Sequence, residues 1–124
     1  MKDPANPVCR TISTLLSRIG DKWTVLVVTT LGEGPRRFNE LRREIPSVSQ
    51  RMLTLTLRNL ERDGLVSRTV TPSIPPRVDY ALTELGHSLQ KPITGLAQWA
   101  LDNVGAIHEA QAVFDAEADK AQAA

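Results

Sequence analysis

Three features of the sequence predict a mainly α-helical fold with one small β-hairpin. Apolar residues recur at three- and four-residue spacing over several separate stretches. Ser, Thr or Asp stands before most of these stretches and Gly after them, as at helix starts and stops. Between Gly64 and Thr83 the helical period gives way to two short alternating runs separated by a loop with three prolines.

Met1 to Val8 holds two prolines and no periodic pattern, so residues 1–8 read as an N-terminal arm. Cys9 to Ile19 follows, with Ile12, Leu15, Leu16 and Ile19 at helical spacing. Gly20 ends that helix and Asp21 caps the next, along which Trp23, Leu26, Val27 and Leu31 are expected to face inward. The β-branched residues of this second stretch also suit a strand, but the bracketing Asp21 and Gly32 favour a helix. Gly32 to Pro35 is a turn, and Arg36-Arg37-Phe38 suits a very short strand. Phe38, Leu41 and Ile45 form the inner face of a two-turn helix closed by Pro46.

The next stretch, Ser49 to Gly64, is organised most clearly. Ser49 is a helix cap and Gly64 a helix stop. Met52, Leu53, Leu57 and Leu60 make an apolar stripe, while Gln50, Arg51, Thr54, Arg58 and Arg62 take the other face. Such a helix is about 20 Å long, enough to lie in a DNA major groove. Two short helices joined by a tight turn form a helix-turn-helix unit. A solvated basic face on an ordinary amphipathic helix is the other reading of the same residues.

Leu65 to Val70 and Arg77 to Leu82 suit two strands, and Thr71 to Pro76 a stiff loop between them. A hairpin directly after a recognition helix is a wing. Thr83 caps the last long helix, with Glu84 in its first turn. Leu85, Leu89, Ile93, Leu96, Ala97, Ala100 and Val104 give that helix a long apolar stripe, beside Trp99, and Pro92 should kink it. So much apolar surface outside a small core suits a partner protomer. The predicted fold is therefore a winged helix-turn-helix with extra N- and C-terminal dimerisation helices. Residues 9–104 form that domain, and residues 105–124 an acidic, Ala-rich helix or tail.

Length fits one domain at 124 residues. With no apolar h-region after the polar N-terminus, no signal peptide is expected, and no stretch is apolar enough to span a bilayer. A cytoplasmic location, with no membrane partner, is the expectation. A single cysteine excludes an internal disulfide framework. Net charge is +1, but it is segregated. Arg36 to Arg77 contains nine Arg and four acids, a net of +5, whereas Val78 onward has seven acids and two Lys, a net of −5. The middle thus suits a polyanion.

Five separated blocks, in order, resemble the HxlR-type winged-helix regulators, a branch near the MarR-type repressors. Cys9 stands just before the first helix. Ile19-Gly20-Asp21-Lys22-Trp23-Thr24 is similar to the family's IGGKWT block, with Asp21 replacing its second glycine. Arg37-Phe38-Asn39-Glu40-Leu41 resembles RFxEL. Ser49 to Leu65 resembles ISxRxLxxxLxxLExxGL, with Val48 where isoleucine is common, and Pro75 to Thr83 resembles PPRVEYxLT. The resemblance runs from Cys9 to about Trp99 and leaves out the acidic end. It implies a homodimer that binds an inverted repeat, an operator in double-stranded DNA, usually as a repressor.

On this reading Gln50, Arg51 and Thr54 face base edges, since the start of a recognition helix lies deepest in the groove. Arg51 matches the two acceptors of guanine and Gln50 the edge of adenine. Leu55 lies near the outward face, where it either meets a thymine methyl group or packs on the scaffold. Ser47 and Ser49 are phosphate donors, and Arg36, Arg37, Arg58, Arg62 and Arg77 are phosphate cations, each with surface pairing to Glu40, Glu44 or Glu61 as the other reading. Trp23 is expected in the core and Lys22 near a phosphate or in solvent. Cys9 has two readings: a sensor of oxidants or small electrophiles, as the resemblance implies, or an inert buried hydrophobe.

Enzymatic chemistry finds no support in the residues. His108-Glu109 begins a zinc-protease pattern, but Ala112 stands at the second histidine position. Cys9, His87 and His108 lack metal-ligand spacing, and neither a Gly-rich phosphate loop nor GxSxG occurs. No metal and no cofactor is expected. The rival to a DNA-binding regulator is a winged helix that binds an acidic protein through its basic face.

Overall fold

The computed structural model describes residues 6–123. In chain order the elements are α1 (Pro7–Ile19), α2 (Lys22–Gly32), β1 (Arg36–Arg37), α3 (Phe38–Glu44), α4 (Gln50–Arg62), β2 (Val66–Thr71), β3 (Arg77–Leu82) and α5 (Glu84–Ala123). They divide into two compact units, Met1–Gln90 and Lys91–Ala124.

In the first unit, α1 begins before Cys9. The Asn6 side chain accepts from the amides of Val8 and Cys9 at 2.8 and 3.4 Å, and Pro7 takes the first helical position, where its missing N–H costs nothing. Pro7 and Val8 therefore belong to the helix rather than to an arm, and residues 1–5 lie outside the described residues. Leu15 and Leu16, expected inward, are exposed on α1.

The buried stripe of α2 is Thr24, Val27, Val28 and Leu31. Leu26 is exposed and Trp23 only half-buried, against the expected inward set. Thr24 enters the core because Asp21 satisfies it locally. The Asp21 carboxylate accepts from the Thr24 amide at 3.3 Å and from its hydroxyl at 3.2 Å. A similar exchange occurs on α4. Thr56 is buried, its hydroxyl donating to the Met52 carbonyl at 2.8 Å, while Met52 itself is exposed.

Leu41 of α3, Ile45 and Val48 of the turn, and Leu53, Leu57 and Leu60 of α4 complete a core with Val66 and Leu82 of the sheet. Burying one such leucine contributes roughly 1.5–3 kcal/mol. That common core fixes which side of α4 is left outward. The turn from Ile45 to Ser49 places Ser47 at φ 69°, a left-handed conformation that costs a non-glycine residue about 1 kcal/mol or more.

The sheet has strand order β1-β3-β2, all antiparallel. Arg36 pairs with Tyr80, and Tyr80 pairs on its other side with Arg68. The very short strand expected at Arg36-Arg37-Phe38 thus exists over Arg36–Arg37 as the third strand of the wing's sheet, while Phe38 already begins α3.

Helix α4 closes in a Schellman motif. Gly64 takes φ 78°, its amide bonds the Glu61 carbonyl, and the Leu65 amide bonds that of Leu60. Helix α5 starts directly on this corner. The Thr83 hydroxyl donates to the Gly64 carbonyl at 2.6 Å and accepts from the Gly86 amide at 3.0 Å. A Cβ at Gly86 would lie 2.1 Å from the Leu65 carbonyl oxygen, so only glycine fits there.

The second unit is the remainder of α5. Helix continues through Pro92 and Gly105 to Ala123, so of the two readings of the acidic end, helix or tail, it is helix. One glycine costs a helix only about 1 kcal/mol relative to alanine, and the Ala, Gln and Glu that follow are strong helix formers. Leu96, Trp99, Leu101, Val104, Ile107, Val113 and Phe114 are exposed along it. No helix among the described residues is long and apolar enough to cross a membrane.

Candidate nucleic-acid interface

Helix α4 is held by its leucines and offers its opposite side to solvent. Ser49 caps it, its hydroxyl oxygen accepting from the Met52 amide at 3.0 Å. Gln50, Arg51, Thr54, Arg58 and Arg62 are all exposed, as the spacing predicts. Leu55, at 52% exposure, stands among them rather than packing inward. The Thr54 hydroxyl donates to the Gln50 carbonyl at 2.8 Å. Its proton is thereby used, and Thr54 presents a methyl group and an oxygen acceptor. Ser49 likewise spends its acceptor on the cap and keeps its hydroxyl proton.

The arginines fall into two groups. Arg36 is tied within the chain. Its Nε donates to Glu44 at 2.6 Å, one Nη to the Gly34 and Pro35 carbonyls at 2.8 and 3.2 Å, and the other to Glu33 at 3.3 Å. The hydrogen bond to Glu44 raises its pKa above the ordinary value. Burial partly offsets this, and the charges of Glu44, Glu33 and Glu40 raise it further. With its fork occupied, Arg36 ties the α2–β1 turn to the end of α3. Arg37 lies 4.0 Å from Glu40, and Arg77 donates to Asp79 at 3.0 Å, though both arginines are about half exposed. The Glu40 carboxylate also accepts from the Arg37 amide at 3.0 Å, closing the first turn of α3.

Arg42, Arg43, Arg51, Arg58, Arg62 and Arg68 enter no ion pair among the described residues. Within the basic middle of the chain, these are the arginines left available to an outside anion. Sequence reasoning passed over Arg68, which gave no signal beyond its place in the first strand of the wing.

Sequence reasoning also passed over Arg18. Its guanidinium pairs with Asp63 and donates to the Asn59 carbonyl at 3.0 Å, tying the end of α1 to the end of α4. Cys9 sits in the first turn of the same helix α1 and is buried, at 8% exposure. Lys22 is stacked over the Trp23 ring, 4.4 Å from its centroid, which takes it up locally. Among the described residues no group of three or more His, Cys, Asp or Glu is placed to hold a metal ion.

Three helices around a leucine core, a tight turn into an outward basic helix, and a hairpin after it define a winged helix-turn-helix protein. Comparison with known proteins makes this specific. The HxlR-like helix-turn-helix family model matches residues 18–108, and the chain belongs to that family. It is 48% identical over 88 residues to an HTH-type transcriptional regulator of Methanothermobacter thermautotrophicus, covering 71% of this chain and 67% of that one. It is 42% identical over 106 residues to the HTH-type transcriptional regulator YdeP of Bacillus subtilis, covering 86% and 83%. Among solved structures, the redox regulator HypR in its reduced form superposes with a TM-score of 0.72 at 40% identity, covering 80% of this chain and 98% of that one. The protein is a transcriptional regulator of the HxlR type, not an enzyme.

Proposed function

We propose that this regulator binds an inverted-repeat operator in double-stranded DNA as a homodimer, in the cytoplasm, and represses transcription there. The observation that carries the reading is the two-sidedness of α4: leucines at 2% exposure or less behind, and Gln50, Arg51, Thr54, Arg58 and Arg62 in front. Gln50 and Arg51, at the helix start, read base edges, with the Thr54 methyl and Leu55 suited to thymine methyl groups. Ser47, Ser49, Arg37, Arg58, Arg62 and Arg77 contact phosphates. The exposed apolar residues of α5 supply the dimer surface, since a monomer rarely leaves so many together in water. Two copies of α4 then meet half-sites about one DNA turn, 34–36 Å, apart.

Cys9 is the sensing thiol. It lies in the first turn of α1, and the relative HypR is described as a redox regulator.

Selection of duplexes from a random-sequence pool tests the reading. A palindromic consensus, bound by a dimer with steep salt dependence, is expected. Absence of duplex binding, or binding indifferent to salt, would instead favour a module for an acidic protein. Oxidation or alkylation should weaken operator binding by the wild type and leave Cys9→Ser unaffected. Equal responses from both proteins would remove Cys9 as the switch.

A further inference from the structure

We infer that the groove between α4 and the wing is a seat for one phosphodiester of the DNA backbone, gripped by Arg68 with Arg58 and the Tyr80 hydroxyl. This rests on the DNA-binding reading above and adds to it a site on residues that the base-reading face does not use.

The groove has a volume of about 340 Å³ and is lined by Thr54, Leu57, Arg58, Glu61, Arg68 and Tyr80. Its two walls are built by regular structure. Thr54, Arg58 and Glu61, at i, i+4 and i+7, share one side of α4. Arg68 and Tyr80 are direct cross-strand partners, so both side chains stand on one face of the sheet. Leu57 is buried between the walls at 2% exposure.

The charge of the groove is unresolved within the chain. Neither Arg58 nor Arg68 enters an ion pair among the described residues, although Glu61 lines the same groove three residues from Arg58. Two guanidinium groups facing one space repel unless an anion with several acceptor oxygens lies between them, and their planar forks suit phosphate oxygens. The Thr54 hydroxyl is committed to Gln50, which leaves Tyr80 as the hydroxyl donor.

Position identifies which anion. With α4 in a major groove and the wing over the neighbouring minor groove, the strand of phosphates that divides the two grooves runs between them. Glu61 favours a singly charged diester over free inorganic phosphate, because its carboxylate repels a dianion more strongly than a monoanion.

The test uses the full chain, one duplex retained from a random-sequence pool and one unrelated duplex. Arg68→Ala should weaken both duplexes by the same factor, about fivefold at physiological salt, and reduce the slope of log affinity against log salt by about 1.8, the release of two phosphates' counterions, one per protomer. Arg68→Lys should keep most of that slope, and thermal unfolding should show both variants folded. A neutral methylphosphonate walked along the retained duplex should cost the wild type affinity at one linkage in each half-site and cost Arg68→Ala markedly less there. Millimolar inorganic phosphate should not compete beyond its ionic strength. An unchanged slope in Arg68→Ala, losses that add rather than merge, or competition by inorganic phosphate would each overturn the seat alone. Failure of the wild type to retain any duplex would overturn the seat and the DNA-binding reading together.

Discussion

The β1–α3 segment and the α4 face carry the same side chain to opposite ends. Arg36 is surrounded by Glu33, Glu44 and two carbonyls, so every arm of its guanidinium is used at home. Arg51, Arg58 and Arg62 project from a helix whose only acid on that side is Glu61, and they enter no ion pair among the described residues. The difference lies in the neighbours the fold supplies, not in residue type. Turns and helix ends concentrate carbonyls and carboxylates around Arg36, whereas a helix interior has already bonded its own carbonyls and leaves a protruding arginine to find partners outside. An arginine-rich stretch therefore holds both clasps and contacts, and only their surroundings separate them.

The most damaging way to break this contrast is to remove what holds the α4 face in place. Leu53 is fully buried, and Leu53→Ala should cost about 2–5 kcal/mol of stability in denaturant unfolding, with DNA binding lost alongside. Next in size, Arg51→Ala should cost roughly 1–3 kcal/mol of binding to a selected duplex and relax specificity at one base pair, while an unrelated duplex barely notices. If both duplexes weaken equally, Arg51 is a phosphate contact and the assigned base-reading role is wrong. Ser49→Ala removes the helix cap and should lower stability by about 1 kcal/mol in thermal unfolding, with the fold otherwise kept. The sharpest comparison has the smallest effects. Arg58→Ala should change stability by no more than about 0.5 kcal/mol yet flatten the salt dependence of duplex binding. Arg36→Ala should do the reverse, lowering the thermal midpoint with the salt slope intact. A flattened slope in Arg36→Ala would return that residue to the phosphate contacts.

Much of the architecture was legible because it rests on local signals. Ser49, Gly64 and Thr83 mark their helix ends by chemistry that needs no distant partner, and the 77–82 strand was bounded by prolines before it and a cap after it. The inward faces were read less well. Thr24 and Thr56 hid in the core because a carboxylate and a carbonyl one turn away satisfy their hydroxyls, a fact that hydrophobic periodicity does not register. Apolarity alone predicts Met52 and Leu26 inward, yet both lie exposed, since the stripe is centred one residue away. The start of α1 was missed because Pro7 reads as a breaker unless Asn6 is recognised as its cap.

Sequence alone determined the helix-turn-helix unit, the wing and the outward basic set of α4. Period, caps and turn residues act within a few positions of the chain, so one-dimensional spacing is enough to specify them. Tertiary structure decided which arginines stay available, that Arg18 reaches Asp63 forty-five residues on, and that Arg68 and Tyr80 share a groove with Arg58. Those outcomes depend on a helix packing against a strand and on cross-strand register. Contacts between distant segments arise only when the chain closes on its core.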